Sequence, residues 1–333
     1  MMGHRELGVT GPGRQSSLTI GELPGSLPFV RWRLEFEGNE TPPIPAALWR
    51  SVFGKTLRDR VCVTGQPSCA SCLLQPRCAY PRWFEPAAPV EPAPLGVSDS
   101  PPMPFAFYAP SVEAGVLEFS VFGAPAVADS PLMLSVLEQA AGNGIGKVRH
   151  AYRLRSAHAR IFPAAASCLP DGLSADALPD LPPFGGHAVE VRLLSPLRLQ
   201  VKGRVMSVED FSAAEFLRAL LRRITLLHWS YGTAALPPVP LPAIDEVTSS
   251  AEQLRWQTGA RYSARQAQRI PLDGLVGSFN LSGPGLRELW PWLYIGQWTQ
   301  VGKSVTQGLG QFTLIDRSGS QACWGAVPGW FPA

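Results

Sequence analysis

Lysine, histidine and long apolar runs are scarce in this chain of 333 residues. No apolar run approaches the roughly 18 residues of a membrane-spanning helix, and residues 1–25 lack the apolar core of a signal peptide. We therefore expect a cytoplasmic protein with no membrane partner. Glycine precedes Lys303, but no strand and no second glycine five positions upstream complete a nucleotide-binding P-loop, so ATP chemistry is not indicated.

Arginine dominates the basic residues. Four of the 29 are lysine and the rest are arginine, whose planar guanidinium group suits phosphates and base edges. This bias favours RNA as a partner, although a GC-rich genome produces the same bias. The five histidines leave few candidates for proton transfer, a task that histidine performs more often than any other side chain.

Chain length and the placement of proline predict two domains. The proline- and glycine-bearing run 169–186 is the predicted linker between an N-terminal domain, residues 27–168, and a C-terminal domain, residues 187–316. Residues 1–26 and 317–333 are predicted to be tails.

The hydrophobic pattern of each half indicates an α+β fold. Residues 28–36 alternate apolar and charged side chains, which predicts a half-buried strand with Arg31 and Arg33 on its polar face. An amphipathic helix with a basic side follows over residues 46–61, and this is how a ferredoxin-like or RRM-like module begins. Because the second half repeats such βαβ-like pieces, we predict two tandem ferredoxin-like domains.

A basic surface is predicted within the first domain. Residues 142–154 have the pattern of a glycine-rich loop that leads into a strand. Arg149, Arg153 and Arg155 share one face of that strand and are placed to follow an RNA backbone; a solvated sheet face is an equally good interpretation. Lys55 adds basic charge to the outer side of the first helix.

Four cysteines mark an insert in the first domain, residues 62–86. Cys62, Cys69, Cys72 and Cys78 have the spacing C-x6-C-x2-C-x5-C, and four thiolates wrap a tetrahedral metal ion. Disulfides are less expected in a chain without an export signal. Structural Zn is the first interpretation, and an iron–sulfur cluster or unliganded thiols are the alternatives.

Glycines punctuate the loop 302–310 near the C-terminus. A glycine-rich backbone can approach an anion closely, so Lys303, Ser304 and Gln307 are predicted to hold phosphates. Plain turns are the competing interpretation, because glycine clusters most often mark turns.

Three C-terminal stretches resemble the CRISPR-associated endoribonucleases that cut precursor CRISPR RNA, a family within the repeat-associated (RAMP) superfamily. That family has an RYS.RQ stretch, a GLxG stretch and a GK....GLG loop in this order. The matching residues are Arg261, Tyr262, Ser263, Arg265 and Gln266, then Gly274, Leu275 and Gly277, then Gly302, Lys303, Gly308, Leu309 and Gly310. Tyr80 and residues 84–86 also match the Y..FEP that follows the family's cysteine-rich insert. One departure is Gln300, where the family often has histidine.

The resemblance implies two ferredoxin-like (RAMP) domains and a metal-independent endoribonuclease. It implies that the 2′-hydroxyl attacks the adjacent phosphate at the base of a repeat hairpin and leaves a 2′,3′-cyclic phosphate. The mature CRISPR RNA then stays bound within an effector complex of other CRISPR subunits. Two alternatives remain: a non-catalytic RAMP protein that binds the hairpin, and a zinc-stabilised protein–protein module that rests on the cysteines alone.

Arginine is the expected catalytic side chain, because residues 46–60 offer no match to the helical histidine of the family's first domain. The histidine-poor type IV branch of the family is the implied precedent. Arg261 is the first candidate, with Arg50 and Arg58 as partners, and its neighbours Tyr262 and Arg265 are expected to contact RNA. Among the histidines, His150 and His158 are the best candidates for a catalytic role.

Overall fold

The computed structural model describes residues 26–38, 43–94, 100–111, 113–146, 148–177, 181, 183–184, 188–250, 253–263 and 268–316, with the backbone alone at 163–164, 260–263, 268–270 and 316. Apart from Ser26, the predicted tails lie outside this description. Among these residues, none of the helices combines the length and the apolar character that crossing a lipid bilayer requires.

The N-terminal domain is built on a five-stranded sheet of spatial order β2-β3-β1-β4-β5. Its elements are β1 (Phe29–Glu37), α1 (Ala46–Val61), α2 (Ala79–Phe84), β2 (Phe105–Tyr108), β3 (Val116–Phe122), α3 (Ala124–Ala128), α4 (Ser130–Gly142), β4 (Arg153–Ile161) and β5 (Asp176–Ala177). Neighbouring strands are antiparallel except β4 and β5. The predicted linker 169–186 thus contributes the short edge strand β5 to this sheet.

The C-terminal domain repeats the plan with a sheet of order β10-β13-β6-β14, and β9 also pairs with β13. Its elements are β6 (Ala188–Leu197), β7 (Gln200–Val201), β8 (Arg204–Val205), α5 (Ala213–Tyr231), β9 (Thr248–Ser250), β10 (Arg255–Gln257), β11 (Ala260–Ser263), β12 (Gln268–Pro271), β13 (Gly274–Ser282), α6 (Leu286–Thr299) and β14 (Phe312–Asp316). In the N-terminal sheet β1 lies between β3 and β4, and in the C-terminal sheet the first strand, β6, lies between β13 and the last strand, β14. The prediction of two tandem ferredoxin-like domains is confirmed.

Each domain has its own hydrophobic core. In the N-terminal domain, Trp49, Phe53 and Leu57 recur every four residues along α1 and are fully buried, because this spacing places them on one face of a helix. They belong to the same apolar cluster as Trp32 and Leu34 of β1. In the C-terminal domain α5 and α6 cover one face of the sheet in the same way.

Strand β1 is buried on both faces. Arg31 is fully buried and Arg33 is 6% exposed, although both lie on the polar face. Phe29, on that same face, belongs to an apolar cluster with Tyr294 and Trp298 of α6. The prediction of a half-buried strand is wrong, because the C-terminal domain covers the face that would meet solvent in an isolated module.

A buried ion-pair network lies on this covered face. Glu118 of β3 accepts hydrogen bonds from Arg31 Nη2 at 2.7 Å and from Arg33 Nη1 at 3.0 Å. Neither the Arg31 nor the Glu118 side chain is exposed to solvent. Burial by itself would lower the pKa of Arg33, but the hydrogen bonds and charges of Glu113 and Glu118 outweigh it and raise that pKa.

Glutamine side chains continue this network into the C-terminal domain. Gln300 is fully buried, and its Nε2 donates to the Phe107 carbonyl oxygen of β2 at 2.8 Å and to Gln311 Oε1 at 3.1 Å. Arg31 Nη2 donates to that same Oε1 at 3.4 Å. Buried side-chain hydrogen bonds therefore join the two domains.

We expect Glu118→Gln to lower the free energy of unfolding by about 3–5 kcal/mol, because it leaves the buried Arg31 guanidinium group without its counter-charge. Urea unfolding followed by circular dichroism measures the loss. The control is Glu37→Gln, the same substitution in the exposed pair that Glu37 forms with Arg153, which should leave the midpoint close to that of the wild type. Similar small losses in both variants would contradict the prediction.

Candidate functional site

A groove of about 790 Å³ lies between the two domains. Its floor is the face of the C-terminal sheet that α5 and α6 leave open. Its walls are residues 43–47 at the start of α1, residues 109–111 after β2, and residues 307–309 of the glycine-rich loop. Both domains contribute to the groove, so its shape depends on the interface between them.

Two arginines stand on the groove floor. Arg192 of β6 and Arg255 of β10 both line it, together with Glu190. Arg192 Nη2 lies 3.2 Å from Glu190 Oε1 and remains half exposed, whereas the Glu190 side chain is only 7% exposed. Among the described lining residues these are the charged ones, so the floor carries two guanidinium groups against one carboxylate.

The glycine-rich loop forms one wall, and its glycines serve close packing. Gly302, Gly308 and Gly310 have φ between 76° and 95°, the left-handed region that favours glycine. A Cβ atom on Gly308 would lie 2.4 Å from Ala46 Cβ of α1, and one on Gly310 would lie 1.8 Å from the Val301 carbonyl oxygen. The loop is thus wedged between the domains.

Many amide groups of this loop are already hydrogen-bonded within the chain. The N–H of Lys303 donates to the Arg198 carbonyl oxygen at 2.9 Å, and the N–H of Gly310 donates to that of Pro196 at 2.9 Å. Such amides are not available to an anion. Of the side chains predicted to hold phosphates, Lys303 is exposed and Gln307 lines the groove.

A β-hairpin formed by β11 and β12 stands at the rim of the groove. Gly259 and Leu272 at its base line the groove, and the N–H of Leu272 donates to the Gly259 carbonyl oxygen at 2.8 Å. Arg261 pairs with Ile270 two residues further on. The side chains of Arg261 and Tyr262, and the whole of Arg265, lie outside the described residues.

The two arginines predicted as catalytic partners on α1 have structural contacts. Arg50 Nε donates to Thr306 Oγ1 of the glycine-rich loop at 3.1 Å, and its guanidinium carbon lies 5.4 Å from the ring centre of Phe84. Arg58 donates to the Gln66 and Pro67 carbonyl oxygens of the insert. Neither residue lines the groove.

The structure does not bring the candidate histidines to the groove. His158 lies on β4, and the groove is approached from the residues that follow β2, at the opposite side of the sheet. His150 is exposed in the turn before β4, where it forms an isolated bridge with Ile145. Neither is a described lining residue.

The predicted row of three arginines is wrong. Strand β4 begins at Arg153, so Arg149 lies in the preceding turn with φ of 53°. A bulge at Arg155 interrupts the pairing with β1, and Arg153 forms an ion pair with Glu37. The hydrogen bond and charge of Glu37 raise the pKa of Arg153. Lys55 is likewise paired, with Asp59 one turn later.

The four cysteines of the insert line one cavity of about 320 Å³. All are free thiols. A backbone hydrogen bond from Gly65 is the main cause that lowers the pKa of Cys62, whereas burial raises the pKa of Cys69. Among the described residues no group of three or more histidine, cysteine or acidic side chains is arranged to hold a metal ion. The metal site stays a prediction.

Sequence reasoning missed Arg192, Arg255 and the interface role of Gln300. The alternation of Val189, Val191 and Leu193 implies that Glu190 and Arg192 share the opposite face of the strand. This pattern could have placed Arg192 on the open face of the sheet. Gln300 was noted only as a departure from a histidine position, because burial by a second domain leaves no local signal.

Family comparisons bear on both domains. A model described as the CRISPR-associated endoribonuclease Cas6 matches residues 191–312, which include the floor strands, the hairpin and the glycine-rich loop. The C-terminal domain matches the Cas6 endoribonuclease family over these residues. A second model, described as an N-terminal domain, matches residues 27–166. No curated protein matches the chain in sequence.

Solved Cas6 structures are similar to this chain in fold. The Thermus thermophilus Cas6 (TTHB231) product complex is 16% identical with a TM-score of 0.50, covering 86% of this chain and 98% of that one. The Cas6 (TTHA0078) substrate mimic complex is 18% identical, with a TM-score of 0.47 over 86% and 98%. A partial Cas6-RT-Cas1–Cas2 complex is 13% identical, with a TM-score of 0.46 over 89% and 47%.

We expect Gly308→Ala to destabilise this protein more than Gly203→Ala does. Both glycines have positive φ, so alanine strains the backbone at each by about 1–3 kcal/mol. A Cβ atom at Gly203 meets open space, whereas one at Gly308 meets Ala46, which adds about 1–3 kcal/mol of overpacking. Urea denaturation of both variants measures the difference. Equal losses would mean that the loop does not press against α1.

Proposed function

We propose that this protein is an endoribonuclease that cleaves precursor CRISPR RNA within the repeat, at the base of a hairpin. We further propose that it keeps the mature CRISPR RNA as a subunit of an effector complex. The observation that supports this most is the groove between the two domains, with an arginine-bearing floor, in a chain whose C-terminal domain matches the Cas6 model.

The groove suits unpaired RNA. Its volume is in the range of ligand pockets, about 300–1,000 Å³, and the open face of an RRM-like sheet is a platform for single-stranded nucleotides. Arg192 and Arg255 supply guanidinium donors on the floor, and Lys303, Ser304 and Gln307 supply phosphate contacts from the loop. The stem of the RNA hairpin then lies at the rim of the groove, beside Arg261.

The chemistry asks little of the protein beyond alignment and charge. The 2′-oxygen forms a bond to the adjacent phosphorus while the bond from phosphorus to the 5′-oxygen breaks. A base takes the 2′ proton and the leaving 5′-oxygen gains one, so no metal ion is needed for balance. Arginine cannot be the base at its ordinary pKa, and we assign Arg261 to alignment and to stabilising the charge on the phosphorane.

A non-catalytic role is the second candidate, and a specific observation favours it. Gln300, where the family often has histidine, is buried in the domain interface with its amide engaged. His150 and His158 do not line the groove. The described residues of the groove therefore offer no histidine as a proton acceptor, and the protein would grip the hairpin without cutting it.

Repeat RNA labelled at its 5′ end should be cut at one position in the presence of EDTA, with a 2′,3′-cyclic phosphate on the upstream product. The reason is that the nucleophile belongs to the RNA itself. An RNA with a single 2′-deoxynucleotide at the mapped cut position is the matched control, because it should bind with the same affinity and stay intact. Tight binding without cleavage of either RNA would select the non-catalytic role, and no binding at low salt would refute both roles.

Changing Arg261 to Ala should lower the cleavage rate by about 10²–10³ with a smaller effect on affinity, as expected when one donor to the transition state is lost. Changing Arg255 to Ala should instead weaken binding and flatten the salt dependence of log K by about 0.7 for a single strand. Single-turnover cleavage and filter binding separate the two effects. Arg218→Ala is the control, because Arg218 pairs with Glu215 on α5, away from the groove. Wild-type cleavage by Arg261→Ala would remove that residue from the site.

A further inference from the structure

The segment from Cys62 to Cys78, here called the thiol loop, folds without a hydrophobic interior. None of its residues is buried, and the apolar ones face solvent, with Leu73 96% and Val63 81% exposed. Short segments of this kind cannot gain enough from apolar burial to hold one conformation, and proteins stabilise them with disulfides or metal ions.

Thiols occupy the positions that an interior would take. The half-buried side chains of the thiol loop are the four cysteines and Gln75, and every other residue in it is exposed. All four cysteines line the cavity of about 320 Å³ enclosed by the loop and the start of α2. A set of four sulfur atoms, each turned inward while the aliphatic side chains point out, is the arrangement of a metal-centred module.

Backbone turns prepare the thiols for a shared ligand. The C-x-x-C step is closed by a hydrogen bond from the N–H of Cys72 to the Cys69 carbonyl oxygen at 3.0 Å. Thr64 Oγ1 lies 3.9 Å from Cys62 Sγ and 3.7 Å from Cys72 Sγ, so the first and third cysteines of the loop lie on either side of one hydroxyl group. Gly65, with φ of 64°, turns its N–H towards Cys62.

We propose that the four cysteines bind one Zn²⁺ ion through their sulfur atoms and that this ion stabilises the thiol loop in place of a hydrophobic interior. Four thiolates suit a thiophilic divalent ion in a closed, structural site. The sulfur atoms do not surround one point, so the loop must rearrange to bind the ion. Cys69 and Cys78 pack against the hydrophobic core of the N-terminal domain, whereas the other residues of the thiol loop do not belong to that core.

The proposed site is independent of the RNA-binding groove. The thiol loop hangs between the C-terminal end of α1 and α2, and none of its residues lines the groove. Arg58 attaches the loop to α1 through the carbonyl oxygens of Gln66 and Pro67. The ion would stabilise the insert and take no part in cleavage, so the two proposals can fail separately.

Metal analysis of the protein purified without chelators tests the site. We expect about one zinc per chain, and the apoprotein should take up Co²⁺ with the absorption bands of a tetrahedral thiolate complex. Cys69→Ser combined with Cys72→Ser should reduce the zinc content to background. Cys168→Ser is the matched control, because Cys168 is a half-buried free thiol outside the cavity, and it should keep the metal.

Limited proteolysis gives a second measurement on the wild-type protein, in case the double variant folds poorly. Arg77 is exposed within the thiol loop, and removal of zinc should speed tryptic cleavage there several-fold, with protection restored by added Zn²⁺. Chains with no zinc and no Co²⁺ spectrum would overturn the proposal. So would iron with acid-labile sulfide, or two disulfides in place of free thiols.

Discussion

A buried ion pair between Arg31 and Glu118 lies where the two domains meet, and neither side chain is exposed to solvent. Arg31 and Glu118 are expensive to bury, because each charge loses its hydration, and they persist here because Arg33, Ser120 and Gln311 complete their hydrogen bonds. Such a network tolerates few alternative placements of the domains. Both domains line the groove, so the shape of the proposed RNA site depends on the interface that this ion pair helps to fix.

Gln300 shows how one interface can change the role of a position. Its side chain bridges Phe107 of one domain and Gln311 of the other, at the end of α6 and the start of the glycine-rich loop. In the loop that follows, many backbone amide groups donate hydrogen bonds to carbonyl oxygens of the chain itself. A glycine-rich segment of this kind differs from a phosphate-binding loop, whose amides point at the ligand.

Arginines on α1 illustrate why a basic residue in a sequence is a weak guide to its task. Arg50 and Arg58 belong to a helix whose apolar stripe fills the core, and both read as exposed charge. In the structure each connects α1 to an adjacent segment, the first to the glycine-rich loop and the second to the insert. The sequence did not single out the two floor arginines. The strand of Arg255 is short, and the pattern of the strand that holds Arg192 was interpreted mainly from its apolar face.

Hydrophobic periodicity within the sequence predicted the two ferredoxin-like domains and the core faces of α1 and α5, and short motifs between Arg261 and Gly310 carried the family resemblance, because these depend on residues close together in the chain. The fate of the polar faces was decided by tertiary structure alone. Arg31 became part of a buried network, Arg149 left the predicted strand and the histidines came to lie away from the groove. A local pattern records which residues share a face, but what covers that face depends on a surface more than a hundred residues away.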